Sequence, residues 1–194
     1  MKLVSFQSSS GPKLGAFVEE KDLDLQATYQ ASVTDVALPR LLGGMIPFLK
    51  GGQRAFDAAN HAIRVAATNP EKAVWVKAPL LPPVPNPNKL LLLAGNYAAH
   101  IEEGGGKALS KLETTPRVFM KPPSTTLIAH EQPIIIPPNG VFIDWEAELG
   151  VVMGQRGKFI AADDAYDYVA GYTIVNDVSE RELKVKSSRV SRAG

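Results

Sequence analysis

The chain has 194 residues, 45% of them hydrophobic and 21% charged, with a formal net charge of +1. That is a globular composition, and near-neutrality gives no general attraction to nucleic acid or to a membrane surface. Cysteine is absent, which excludes disulfides, thiolate metal sites and cysteine nucleophiles.

The opening MKLVSFQSSSGPK turns polar too early for a signal-peptide core. The longest aliphatic run, Leu90 to Ala94, is far too short to cross a bilayer. A soluble, cytoplasmic protein is therefore expected. Residues 1–77 begin with two β-like pieces, KLVSFQ and LGAFVEE, around the turn signal Ser10-Gly11-Pro12. A helix is predicted from Gln53 to Ala67, with Phe56, Ile63 and Ala67 on one face. His61 on that helix has neighbours, Asn60 and Arg64, that complete no site, so it reads as a surface or partly buried histidine. This first region is expected to be a small α+β module without chemistry of its own.

Residues 78–88 follow as a connector. Pro79, Pro82, Pro83, Pro85 and Pro87 rule out a helix or a central strand and favour an extended, semi-rigid linker. A proline-rich SH3 ligand is the sharper alternative, but no basic anchor is well placed beside the prolines.

The chemistry lies in residues 89–194. KLLLLAG reads as a buried strand, and Asn96 as cap with Gly104 as stop predicts a helix over Tyr97–Glu103. His100 and Glu103 are then neighbours on one helix face. A carboxylate beside an imidazole fixes its tautomer and favours its protonated form, as a water-activating dyad requires. Spacing alone fits a plain surface His–Glu pair better. The glycine-led GGGKALSKLETTPR is either an active-site lid or a mobile loop. RVFMK is a predicted strand carrying Lys121 at its end, and His130 beside Glu131 reads as structural rather than as a ligand.

VFIDWEAELGVVMG is predicted to be one strand, and alternation sorts its side chains. Val141, Ile143, Trp145, Ala147, Leu149, Val151 and Met153 take one face, and Asp144, Glu146 and Glu148 take the other. Like charges in a row destabilise a strand unless something positive answers them. Glu146 and Glu148 lie about 6.6 Å apart along a strand, within reach of one cation. Downstream, DDAYDY fits a short helix capped by Asp163 or Asp164 and stopped at Gly171. A strand then ends near Asp177, and Ser179 with Glu182 suggests a capping box that opens a helix at about Glu180. Asp177 thereby sits where a strand gives way to a helix and offers a third carboxylate. All-oxygen ligation with open positions suits Mg²⁺, Mn²⁺ or Ca²⁺ rather than zinc. A solvated acidic face, with the acids far apart in the fold, explains the pattern equally well.

The set NYAAHIEE, RVFMKPPST, DWEAELGVVMG and AYDYVAGYTIVNDVSERE resembles the fumarylacetoacetate hydrolase family over residues 79–183, and residues 1–77 resemble the N-terminal module of bacterial members. The resemblance implies an α+β, mainly β fold: a mixed β-roll catalytic domain behind a small α+β N-terminal domain. It implies a divalent cation, Mg²⁺ or a similar ion such as Mn²⁺ or Ca²⁺, held by Glu146, Glu148 and Asp177. His100 and Glu103 become the proton-handling dyad, Arg181 sits near substrate carboxylate or dyad, and Asp144 supports from behind. It further implies a homodimer that cleaves, hydrates or decarboxylates small 2-oxo or 1,3-dicarbonyl acids, often in aromatic catabolism.

Two departures stand out. Lys184 occupies a position where the family usually has glutamine, and KVKSSRVSRAG ends the chain before the Lys-Gly segment and closing strands of the roll. The roll is therefore expected to be incomplete. Two functions compete: a metal-dependent hydrolase, hydratase or decarboxylase, and a truncated, inactive homologue that only binds metal or self-associates.

Overall fold

The computed structural model describes residues 1–35, 37–103, 105–107, 110 and 115–182, the His100 side chain excepted. Its first part is built on a hairpin. β1 (Leu3–Ser8) and β2 (Gly11–Val18) pair antiparallel through the predicted turn, with Leu3 opposite Ala16 and Ser8 opposite Gly11. β3 (Lys21–Asp24) follows at once. The turn between β2 and β3 consists of Glu19 and Glu20, both in the left-handed region, at φ 48° and 63°. That conformation matches strand twist but suits an asparagine–glycine pair far better than two glutamates. The double substitution Glu19→Asn with Glu20→Gly is expected to raise stability by about 1 kcal/mol or more, read as a shift in the urea midpoint.

Asp24 ends β3 and begins α1 (Leu25–Ser32). Its Oδ1 accepts from Ala27 N at 2.9 Å, and its Oδ2 pairs with Lys13 at 3.1 Å, so both oxygens of a buried carboxylate are used. A 3₁₀ turn (Leu38–Leu42) leads into α2 (Met45–Thr68). Two helices meet inside α2 at Gly52, whose φ of 54° and ψ of −139° break the helical run. The helix beyond that kink is the predicted one, but its buried face is different. Ala55, Ala58, Ala59, Ala62, Val65 and Ala66 face the core, Ile63 packs at its margin, and Phe56 is exposed. Small side chains let the helix seat closely on its neighbours, so volume and not hydrophobicity selected the face.

After a second 3₁₀ turn (Pro70–Lys72), β4 (Trp75–Val76) and β5 (Leu80–Leu81) complete a five-stranded sheet ordered β4-β3-β2-β1-β5. Part of the proline-rich stretch thus forms an edge strand, where missing N–H groups cost least. Ser5 Oγ also donates to Pro83 O at 2.7 Å. The core lies between this sheet and the helices, around Leu14, Leu23, Leu25, Leu42 and Phe48.

The second part is made of ribbons. β6 (Leu90–Ala94) pairs antiparallel with β7 (Arg117–Lys121), with Leu90 opposite Lys121. Between them lies α3 (Ala98–Glu103), one residue shorter than predicted, closed near Gly105 at φ 75°. A single turn, α4 (Pro123–Thr126), follows β7. The acidic stretch is two strands rather than one. β8 (Ile143–Asp144) and β9 (Ala147–Met153) are separated at Trp145 and Glu146. A 3₁₀ helix (Ala162–Tyr168) then places Asp163 and Asp164 in its first turn, with no side-chain cap. It gives way to β10 (Val169–Asn176), which contains Gly171 instead of stopping there. β10 pairs with β9, and β11 (Ser179–Glu180) pairs with β8.

The predicted alternation holds along β9, yet its apolar face is bare. Leu149, Val151 and Met153, with Tyr172 and Ile174 on β10, point to solvent. In β6 only Leu92 is buried, while Leu91 and Leu93 are exposed, so the expectation of a buried strand fails there. A two-stranded ribbon has nothing to cover a second face. The chain is a mixed α+β fold. Among the described residues, no helix is long and apolar enough to cross a membrane.

Candidate metal centre

The break between β8 and β9 builds the site. With Trp145 and Glu146 out of the ladder, Glu146 N donates to Asn176 Oδ1 at 3.0 Å and Asp177 N donates to Glu146 O at 2.8 Å. These two bonds bring the residue before β9 against the residue after β10. Glu148, opposite Val175 in the β9–β10 register, adds its carboxylate from the same face. One oxygen each from Glu146, Glu148 and Asp177 lies within 4.8 Å of the others. The three predicted ligands are thus together, although the single straight strand that suggested two of them does not exist.

Carboxylates at such distances repel one another by about 3 kcal/mol per pair at an effective dielectric near 20. Among the described residues, two cations answer them. Lys121, at the end of β7, contacts Asp177 Oδ1 and donates to Val178 O at 3.1 Å. Arg181 reaches Asp144 Oδ2 through Nε at 2.9 Å and Nη2 at 2.8 Å, and Glu146 Oε1 through Nη1 at 2.8 Å. Its pKa is raised above the ordinary guanidinium value, chiefly by the hydrogen bond to Asp144, so it stays charged throughout. Asp177 is the most enclosed of the acids at this site, at 5% exposure. Its Oδ1 lies against the Lys121 ammonium without regular hydrogen-bond geometry. A buried carboxylate, two half-buried ones and no soft donor form a set that fits a hard divalent cation.

Asp144, given only a supporting role in the sequence reading, is the main anchor of Arg181. Lys121 had no role there at all. Its place at a strand end was visible in RVFMK, but its partner lies 56 residues onward, between β10 and β11, and β7 pairs with neither. Asn176 and Tyr97 were missed for the same reason.

Tyr97 precedes α3, and its hydroxyl accepts a hydrogen bond from Leu149 N at 3.0 Å. The helix carrying His100 and Glu103 is therefore tied to the strand carrying Glu148. The His100 side chain lies outside the described residues, as does most of the predicted lid, and Glu103 is engaged in a contact of its own. Tyr97→Phe leaves one strand N–H to water and is expected to cost at most about 1 kcal/mol in melting. Its expected effect on turnover is larger, since the helix loses its tether. Among the described residues the bonds of the capping box predicted at Ser179 are not seen, and Glu182 N donates to Glu180 Oε1 at 3.1 Å. Residues 183–194, including Lys184, lie outside the described residues.

A family model described as "Fumarylacetoacetate (FAA) hydrolase C-terminal" matches residues 89–193. Oxaloacetate tautomerase Fahd2a, mitochondrial, of Rattus norvegicus is 31% identical over 191 residues, 97% of this chain and 56% of that protein. Its counterpart in Xenopus laevis is 34% identical over 192 residues, 97% of this chain and 55% of that protein. The chain therefore spans little more than half the length of these relatives. Maleylpyruvate hydrolase from Sphingobium sp. SYK-6, solved with manganese(II) and pyruvate, shares the fold at a TM-score of 0.62 and 24% identity, over 93% of this chain and 60% of that one. 5-Carboxymethyl-2-hydroxymuconate delta-isomerase from Mycobacterium smegmatis does so at 0.54 and 21%, over 97% and 58%.

Proposed function

The chain belongs to the fumarylacetoacetate hydrolase family, whose members are enzymes, and on that premise we propose that it is part of a divalent-metal-dependent enzyme acting on small 2-oxo or 1,3-dicarbonyl acids. The observation that carries this is the convergence of Glu146, Glu148 and Asp177 within 4.8 Å. The relatives' oxaloacetate tautomerase activity makes oxaloacetate the first substrate to test, with acylpyruvates and fumarylpyruvate next.

In this proposal Glu146, Glu148 and Asp177 hold Mg²⁺ or Mn²⁺. The ion supplies Lewis-acid polarisation of the 2-oxo group and charge stabilisation of the enolate. Arg181, locked on Asp144 and Glu146, keeps one ligand oriented and lends positive charge to the substrate carboxylate side. His100, oriented by Glu103 and delivered by α3, takes the proton from the carbon beside the 2-oxo group, or from water where a C–C bond is hydrolysed. For a tautomerisation the same proton returns to the enol oxygen, so the atoms balance without another reactant. A homodimer belongs to the same proposal and is read by sedimentation.

A second reading is favoured by the bare apolar faces of β9–β10 and β6–β7. In it, these residues bind the cation but do not turn over substrate by themselves. One experiment separates the two. With Mg²⁺ or Mn²⁺ added, oxaloacetate keto–enol exchange and acylpyruvate cleavage are followed in the ultraviolet. Turnover that chelation abolishes supports the enzyme. Folded, metal-loaded protein inert across the panel leaves the second reading standing.

A further inference from the structure

Resting on the metal-centre reading above, we propose that Lys121 is a positioning residue that sorts the two oxygens of Asp177, holding Oδ1 so that Oδ2 is the one presented to a divalent cation. The ammonium has two anchors on consecutive residues, Asp177 Oδ1 and Val178 O, the latter at 3.1 Å. It is therefore fixed relative to the chain that carries the ligand. Oδ1 is enclosed and, among the described residues, lies against the Lys121 ammonium. The backbone N–H of Asp177 is committed to Glu146 O, which sets where the side chain starts but not how its carboxylate turns.

That rotation needs a clamp. The carboxylate torsion of an aspartate is broad and roughly two-fold, so its oxygens exchange unless a neighbour distinguishes them. Glu146 has such a neighbour in Arg181. Lys121 is the corresponding one for Asp177, supplied by the ribbon that leads from the helix of His100 and Glu103. Lys121 also lies opposite Leu90 in that ribbon, so the clamp is built on a paired strand and not on a loop. Partners behind a metal ligand typically contribute 10–100-fold in metal affinity.

The opposing physical effect gives the test its edge. An ammonium is itself a cation, and if its main effect were to compete with the metal, removing it would tighten binding. Mn²⁺ titrations followed by electron paramagnetic resonance, on the wild-type chain, Lys121→Met and Lys121→Arg, separate the two. The expected result is about a 10–100-fold weaker Mn²⁺ affinity in Lys121→Met, with Lys121→Arg recovering most of the loss. Equal or tighter binding by Lys121→Met overturns the proposal, as does failure of the arginine to rescue. Metal-free melting accompanies each titration. Should Lys121→Met not fold, Lys121→Gln keeps a donor for Val178 O without the charge and is expected to weaken Mn²⁺ in the same direction. Failure of the wild-type chain to bind Mn²⁺ sinks the metal centre itself, whereas wild-type binding with indifferent variants sinks only the role of Lys121.

Discussion

Glu148→Ala is expected to abolish metal-dependent turnover, lowering kcat/KM by about 10³-fold or more, equivalent to about 4 kcal/mol of transition-state stabilisation. The reason is positional. Glu146 and Asp177 are joined through backbone bonds and each has a cation at its carboxylate, so both survive partly as structure. Glu148 reaches the cluster from inside a regular ladder, opposite Val175. Its loss removes one of the three proposed ligands while the strand keeps its backbone pairing with β10. Glu148→Gln preserves the shape without the charge and is expected to lose most of the Mn²⁺ affinity as well. Wild-type kcat/KM in Glu148→Ala at saturating Mg²⁺ would remove Glu148 from the site.

How much of this was legible in the chain depends on the range of the interaction. Periodicity located β1, β2, β7 and β10 because each alternates or is bounded by a turn residue within a few positions. It also grouped Glu146 with Glu148, since alternation along the predicted strand puts both on one side. It failed at Glu146 itself. The residue leaves the ladder because Asn176 and Asp177, about 30 positions on, take its backbone groups, and no local pattern announces that. The helix beyond Gly52 shows the same limit in another form. Its hydrophobic pattern named Phe56, but the packed face is alanine, chosen by how closely a partner approaches. Motif resemblance reached further than periodicity, because the family's residues encode the long-range partner as well as the local element. It pointed to Asp177 and Arg181, yet was silent on Lys121 as the partner of Asp177.

Arg181 offers the other large effect, and it distinguishes two roles the same side chain could have. Its guanidinium fork serves two carboxylates at once, Asp144 through two nitrogens and Glu146 through the third, each at 2.8 or 2.9 Å. Its backbone N–H also donates to Phe142 O at 2.9 Å, closing the short β8–β11 pair. Arg181→Ala leaves Asp144 and Glu146 without that counter-charge. Breaking a fully buried pair costs about 3–5 kcal/mol, and an exposed one about 0–1. At the half-buried position of Arg181, about 2 kcal/mol is expected in urea unfolding. Arg181→Lys restores the charge but cannot form both bridges, so it is expected to fall between the two in stability. Mn²⁺ affinity then decides what the arginine is for. A loss of about tenfold or more in both variants marks it as the holder of Glu146. Unchanged metal affinity with a raised KM marks it instead as a contact to the substrate carboxylate, because only an interaction with substrate would spare the ion and weaken the Michaelis complex.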